Sequence, residues 1–206
     1  MDDFIQDDET HFALSKTRLE AFATLFGKPP VRTFTFDELD GDDDSLMIDV
    51  LAYAIPQAGP KGQVYALVTN GLSDFPIFDP DEGVTERCEI IQYFYEVREE
   101  DAQRLYAVAY LAVMENINLA DGDAIAMAGI PDPFERPNSL FLRPLVKSHM
   151  RFDITIGGDP TTLLWHVPIS DAELEYKMSR DVDALIERMA EAETPWVYDG
   201  SRASLV

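Results

Sequence analysis

Apolar residues recur at three- and four-residue spacing in three parts of the chain, and this period predicts helices. The predicted helices lie at residues 10–26, at residues 99–116 and in a final segment around 182–189. Gly27 and then Pro29 end the first helix, because glycine tolerates a left-handed backbone and proline cannot continue a helix. Acidic residues open the first two helices, where the helix dipole favours them.

Extended segments rich in Val, Ile, Thr, Tyr and Phe lie between the helices and predict strands. The predicted strands cover residues 31–36, 46–54, 63–69, 87–97, 140–146, 151–156 and 162–167. In several of these strands the side chains that point to one face and those that point to the other are both apolar, which is typical of a sheet covered on both faces. The second and third of them predict a hairpin. The pattern therefore predicts one α+β (mixed α/β) domain, a mixed sheet with helices on both faces.

Two features refine the predicted boundaries. Ser170 and Glu173 have the spacing of a capping box, flanked by apolar residues that can form a hydrophobic staple, so a helix begins there. Residues 118–139 are rich in Gly, Pro and Asn, and a loop of that length is often functional. We expect residues 1–30 to be a helical N-terminal region and residues 195–206 to be a frayed C-terminal tail.

Composition and charge limit the classes of function. The chain has 206 residues, 46% of them hydrophobic, which is enough for a packed core. It carries 39 acidic and 16 basic residues, a net charge of −23. Such a charge disfavours nucleic acids and anionic membranes as partners. It favours encounter with a basic protein.

The compartment follows from similar arguments. Cys88 is the single cysteine, which suits a reducing environment. The N-terminal residues are acidic, unlike a signal peptide. No apolar run reaches the roughly 18–20 residues of a membrane span. We therefore expect a soluble cytoplasmic protein; its oligomeric state stays open.

The acidic turns do not match a known metal loop. Placing Gly41, Gly83 or Gly122 at the sixth position of an EF-hand leaves apolar residues where ligands are needed. The three histidines are far apart and one cysteine cannot form a thiolate site, so zinc is also unsupported. We expect no cofactor, while an irregular cation site in the acidic turns stays open.

Catalytic motifs are equally hard to find. The sequence contains no phosphate-binding glycine loop and no nucleophile elbow. An enzyme would need Cys88 with His149 or His166 as its base, or converging carboxylates. The candidate carboxylates are Asp121, Asp123 and Asp132.

Charge is distributed unevenly. Residues 37–49 hold seven acidic residues and no Lys or Arg, whereas residues 136–152 hold no acidic residue. The basic residues of the second segment are Arg136, Arg143, Lys147, His149 and Arg151. They either pair with the acidic surplus on neighbouring segments or form a recognition patch for an acidic ligand or partner segment.

Three stretches together resemble the suppressor-of-fused (SUFU) family. Residues 64–74 are similar to a family strand that ends in a T-x-G-L-S-D type turn. Residues 86–94 look like the strand that follows, and residues 164–176 resemble the W-x-x-P-I-T/S-x-x-E segment near the family's end. The resemblance covers about residues 46–191 and implies a single SUFU-like domain with a mostly antiparallel sheet.

The resemblance implies a non-catalytic protein-binding domain. The animal member is a two-lobed repressor that clamps a peptide, and this chain matches one lobe. Residues 130–132 look like the part that meets the peptide, which makes Asp132 a partner-binding candidate, although Pro131-Asp132 also suits a turn. Asp121 and Asp123 are partner-binding candidates as well, together with the basic residues at 136–151. Stand-alone bacterial members imply an immunity protein that neutralises a toxin, here a basic one. An enzyme with an unrecognised site and a structural subunit remain the alternatives.

Overall fold

The computed structural model describes residues 8–36, 46–55, 61–75, 77–79, 84–127, 136–144 and 153–206. The helices in these ranges are α1 (Asp8–Phe26), α2 (Glu99–Met114), α3 (Asp171–Ser179) and α4 (Val182–Glu191). The strands are β1 (Arg32–Thr35), β2 (Asp49–Ala54), β3 (Tyr65–Asn70), β4 (Ile77–Asp79), β5 (Val84–Glu86), β6 (Cys88–Phe94), β7 (Ala124–Ile125), β8 (Asn138–Leu142), β9 (Asp153–Ile156) and β10 (Asp159–Ile169).

The main sheet has eight strands. Their order is β1-β2-β3-β6-β10-β8-β7, and β9 also pairs with β10. The pairing of β10 with β6 is parallel, and the other pairs recorded in this sheet are antiparallel. The predicted hairpin is confirmed as β2 and β3. The α+β class with a mixed, mostly antiparallel sheet is confirmed as well.

Alternation along the strands divides the core into two clusters, one on each face of the sheet. Phe22 of α1 and Leu185 of α4 pack with Ile91 on the first face, together with side chains of α3. Residues of α2, such as Leu105, pack with Ile90 on the second face. The expectation of helices on both faces is confirmed, with three described helices on one face and one on the other.

Local signals set several helix ends where the sequence predicts them. Gly27 follows α1 with a φ of 72°, in the left-handed region. Ser170 and Glu173 form the predicted capping box of α3. The side chain of Asp181 accepts a hydrogen bond from the backbone N–H of Ala184 at 2.7 Å and begins a separate helix, α4. The last part of the chain therefore contains two helices.

The prediction of a frayed tail at 195–206 is wrong. Val197 is 1% exposed, and the backbone N–H of Tyr198 donates to the carbonyl of Tyr93 at 2.8 Å. The ring of Trp196 packs edge-on against Tyr93, with centroids 5.0 Å apart. Aromatic residues without helical or strand periodicity anchor this segment, so periodicity could not reveal it. Strands β4, β5 and β7 were also not predicted, because each has only two or three residues.

Candidate functional site

A buried carboxylate, Glu89 of β6, holds the turn that follows β3. Its Oε1 accepts hydrogen bonds from the backbone N–H of Gly71 at 3.1 Å and of Ser73 at 3.2 Å, and from the Ser73 hydroxyl at 2.7 Å. Its Oε2 accepts one from the Thr69 hydroxyl at 2.6 Å. Two of the three stretches that carry the family resemblance are therefore joined by one side chain.

Arg18 of α1 lies fully buried beside the same turn. Its Nε donates to Oδ1 of Asn70 at 2.9 Å, and its Nη1 donates to the carboxylate of Asp74. Burial raises the pKa of Glu89, while the charge of Arg18 and the donated hydrogen bonds oppose that rise. This network fastens the first helix to a turn more than fifty residues away along the chain.

Glu173 plays a similar part in the third stretch. Its Oε2 accepts from the backbone N–H of Ser170 at 2.9 Å, and its own backbone N–H donates to the Ser170 hydroxyl at 3.2 Å. The guanidinium of Arg202 also donates to this carboxylate, as does the backbone N–H of Leu205 at 3.1 Å. Although burial works against it, pairing with Arg202 holds the pKa of Glu173 below its ordinary value.

Arg136, predicted as part of a basic recognition patch, is 4% exposed. Its Nη1 donates to the carbonyl of Gly200 at 2.6 Å, and its Nη2 donates to the carbonyl of Arg202. Arg104 of α2 donates to the carbonyl of Arg136. In this arrangement Arg136 holds the C-terminal segment and offers a partner almost no surface, so its position does not favour the predicted recognition role.

Three other predicted partner-binding residues come together at the end of β8. Asp123 Oδ2 accepts from the backbone N–H of Ala120 at 2.9 Å, and Asp121 Oδ1 accepts from that of Arg143 at 2.8 Å. Asp121 Oδ2 lies 3.7 Å from Arg143 Nε in an ion pair between exposed side chains. This pair fits the reading in which the basic segment is balanced by neighbouring acids. Partner binding by these residues stays a prediction.

The remaining candidates fall outside the described ranges. Asp132, Lys147 and Arg151 lie there, as do His149 and the acidic segment at 37–45. Their predicted roles in partner binding stay predictions. Within the described ranges, no group of three or more His, Cys, Asp or Glu side chains could hold a metal ion. None of the described helices is both long and apolar enough to cross a membrane.

The geometry around Cys88 does not suit a nucleophile. Burial, followed by the charges of Glu89 and Glu86, raises the pKa of the thiol, whereas a reactive cysteine needs a lowered one. Cys88 is paired in register with Thr162. His166 lies four residues further along β10, about 13 Å away at the rise of a strand. The structure therefore does not bring this predicted pair together.

A Ser–His–Gln arrangement that the sequence analysis missed lies inside the sheet. His166 Nδ1 is 2.8 Å from Gln92 Oε1, and His166 Nε2 is 2.8 Å from Ser139 Oγ. These contacts have the connectivity of a catalytic triad. Ser139 is fully buried, however, and the cavity that adjoins Gln92 and His166 measures about 20 Å³, room for roughly one water molecule. The arrangement links β6, β10 and β8 instead of presenting a nucleophile.

The neutral form of His166 suits this position. Burial, followed by the charge of Arg104, places the pKa of His166 well below its ordinary value. Gln92, Ser139 and His166 are far apart in the chain, so no local spacing indicates their contact. The available signal is a polar residue within an apolar strand, as His166 is in β10.

Each of the three family-like stretches thus contains a buried polar contact, and together they belong to a mixed α+β domain in which internal carboxylates hold a turn and a helix start. A family model described as suppressor of fused protein (SUFU) matches residues 44–203. The chain belongs to the SUFU family, which confirms the resemblance stated from the sequence. A comparison with curated protein sequences finds no match.

Solved structures share this fold at low sequence identity. A suppressor-of-fused homolog from Neisseria gonorrhoeae FA 1090 has a TM-score of 0.72 and 14% identity, over 95% of this chain and 98% of that chain. A chain of the Sufu-Fu complex has a TM-score of 0.67 and 15% identity, over 92% and 91%. Drosophila Suppressor of Fused has the same TM-score and identity, over 94% of this chain and 51% of its own. The chain therefore spans about half of the Drosophila protein.

Proposed function

We propose that this chain is a non-catalytic protein-binding domain, of an immunity or other regulatory type, that binds and neutralises a second protein with a basic surface. The observation that carries the proposal is membership of the SUFU family, since one solved structure of this fold is that of the Sufu-Fu complex. Binding another protein is accordingly the activity to test first.

The interior of the domain supports a non-catalytic role. Glu89, Glu173 and His166 are titratable groups of the kind that enzymes use. Each is fully buried, and its hydrogen bonds go to backbone groups or neighbouring side chains of the fold. These side chains therefore serve folding, and the exposed surface is left for recognition.

Charge supports a basic partner and the cytoplasm as the place of action. A net charge of −23 attracts a positively charged protein over a long range and raises the rate of encounter. The single cysteine suits a reducing compartment. Exposed Asp121 and Arg143 are proposed contacts, together with Asp132, Lys147 and Arg151.

The proposal is tested by purifying the tagged chain from its native host at low salt after mild cross-linking. We expect one basic protein to be retained. The purified pair should form a stoichiometric complex that abolishes the activity of that protein. Association should slow steeply as salt is added while dissociation changes little, because steering acts on the encounter. Retention of no protein, or of a partner that stays active, would contradict the proposal.

A further inference from the structure

A small polar cavity lies beside α1, between the turn that follows β3 and the start of β10. Its volume is about 30 Å³, room for roughly one or two water molecules. Five of the seven residues that line it are polar or charged, namely Ser73, Asp74, Arg87, Asp159 and Thr161. Cavities that stay dry are normally apolar, so this lining favours a polar occupant.

The hydroxyl of Thr161 is the clearest sign that the cavity is occupied. Thr161 is 1% exposed, and its Oγ1 has no hydrogen-bond partner among the described residues. Leaving a buried hydroxyl without a partner is costly, and such groups in native proteins are normally satisfied by protein or by ordered water. Because Thr161 lines the cavity, an occupant there can supply the missing bond.

A second buried donor belongs to the same cluster. Nη2 of Arg18 also has no hydrogen-bond partner among the described residues, although Nε and Nη1 of this guanidinium donate to Asn70 and Asp74. Asp74 lines the cavity together with Thr161, and a carboxylate has lone pairs for several donors. Since the cavity is so small, a molecule inside it can contact both of these side chains.

The charges around the cavity favour a neutral occupant over an ion. Asp74 is paired with Arg18, and Asp159 is paired with Arg87 at 3.3 Å. Each carboxylate of the lining therefore already has its cation, and a buried ion would lack a counter-charge. In the described ranges, no group of His, Cys, Asp or Glu side chains suits a metal ion either. Water is the neutral molecule of the right size that can both donate and accept.

The pair of Arg87 and Asp159 lies on the solvent side of the cavity. Their side chains are 28% and 62% exposed, whereas those of Arg18 and Asp74 are 0% and 2% exposed. Nη1 of Arg87 also donates to the carbonyl of Ser73 at 2.5 Å, which ties the pair to the turn after β3. The pair thus stands between the cavity and bulk solvent.

We propose that this cavity is a binding site for ordered water, closed toward solvent by the ion pair of Arg87 and Asp159. The bound water forms a hydrogen bond with the Thr161 hydroxyl and donates one to the carboxylate of Asp74. It thereby adds β10 to the network in which Arg18 joins α1 to the turn after β3. This site concerns the interior of the fold and goes beyond the proposed function.

Thr161→Val tests the site, because it replaces the hydroxyl by a methyl group that forms no hydrogen bond. Nuclear Overhauser contacts between water and the amide protons of β10 detect water that stays bound. We expect such contacts at residue 161 in the full chain, their loss in Thr161→Val and their retention in Thr161→Ser. Thr162→Val is the matched control, since this half-buried neighbour points to the opposite face of β10, and it should leave the contacts unchanged.

Stability gives a second measurement in which the two possibilities differ in sign. In a hydrated cavity, Thr161→Val removes a hydrogen bond to the water, so the midpoint of urea unfolding should fall relative to that of Thr162→Val. In a dry cavity, the same change removes an unsatisfied buried hydroxyl, so the midpoint would rise. The comparison with Thr162→Val corrects for the higher strand propensity of valine.

Asp159→Ala tests the closure. Relaxation dispersion of solvent water measures how long the bound water stays, and we expect a residence time several-fold shorter than in the original chain. Glu99→Ala is the control, since it breaks the exposed ion pair with Arg32 and should leave the residence time unchanged. Circular dichroism confirms that each variant is folded. Water contacts that persist in Thr161→Val, or a midpoint that rises in it, would overturn the proposed site. Equal residence times in the Asp159 and Glu99 variants would overturn the closing role of the pair.

Discussion

Strand β6 presents two different kinds of buried polar group to the two faces of the sheet. Toward α1 it directs Glu89, which lies in a charged network with Arg18 and Asp74. Toward α2 it directs Gln92, which lies in a neutral network with His166. The two residues are only three positions apart in the strand. The same strand therefore contributes a carboxylate to the interior on one side and an uncharged amide to the interior on the other.

The buried polar groups on the two faces hold different elements of the fold in place. On the charged side, the guanidinium of Arg18 joins α1 to the turn after β3. Three described helices cover that face of the sheet. The neutral side links three strands to one another and leaves α2 as the single described helix of its face. The first face is thus covered by three described helices that a buried ion pair helps to hold, and the second by one described helix.

The strongest test of the charged side removes its cation. Arg18→Met should reduce the free energy of unfolding by about 3 to 5 kcal/mol, because a buried carboxylate loses its counter-charge. Arg32→Met is the control, since Arg32 forms an exposed ion pair with Glu99, and its cost should be about 1 kcal/mol or less. Urea denaturation followed by circular dichroism measures both. Equal costs would show that the buried network contributes no special stability.

The turn that Glu89 holds gives a second test. Gly71 has a φ of 135°, and a Cβ there would lie 2.4 Å from the carbonyl oxygen of Met47. Gly71→Ala should therefore cost about 3 kcal/mol, combining backbone strain with displacement of the neighbouring chain.

Gly158 supplies the matched control for that substitution. Its φ is also positive, at 98°, but a Cβ there meets nothing within 4 Å. Gly158→Ala should cost only the strain, about 1 to 2 kcal/mol. Thermal unfolding compares the two variants. A cost at Gly71 no greater than that at Gly158 would contradict the close approach of the two chain segments.

On the neutral side, His166→Leu should cost about 2 kcal/mol, because Gln92 and Ser139 lose their partner while buried. Adding Ser139→Ala to that variant should recover part of the loss, since the orphaned hydroxyl is removed. Urea denaturation of the single and double variants measures this recovery. A double variant less stable than the single one would argue against the proposed pairing.

The two sides should also respond to pH with opposite sign. Burial keeps His166 neutral in the folded chain, whereas the same side chain takes up a proton in the unfolded chain below about pH 6.5. The free energy of unfolding should therefore decrease as the pH falls below that value, by at most about 1.4 kcal/mol per pH unit. Glu89 has a raised pKa, so its contribution to stability instead falls as pH rises above its ordinary value. His166→Leu should flatten the loss below pH 6.5, and Glu89→Gln should steepen it. Unfolding curves between about pH 7 and pH 5 measure both slopes.

Periodicity predicts most of the fold, because helices and long strands are local patterns. The helix predicted at 99–116 is found at Glu99–Met114, and the strand predicted at 63–69 is found at Tyr65–Asn70. The C-terminal segment was predicted wrongly, since Val197 and Tyr198 are held by residues more than a hundred positions earlier and by no local repeat. Long-range contacts of this kind leave no pattern in the segment itself.

The candidate site was less accessible to sequence reasoning. A run of basic residues indicates a surface patch, yet Arg136 turns inward to backbone carbonyls that only the folded chain brings to it. The family-like stretches identified the domain because their carboxylates are structural. For the same reason they carry little information about the partner.

The smallest predicted effect concerns the end of α2, the single described helix of the neutral side. Glu115→Lys places a cation at the C-terminal end of α2, where the dipole favours it, so stability should rise by about 0.3 to 1 kcal/mol. Glu187→Lys, at an exposed position within α4, is the control for net charge and should raise stability less. Thermal unfolding compares the two variants. A gain at Glu115 no greater than that at Glu187 would contradict a contribution from the dipole of α2.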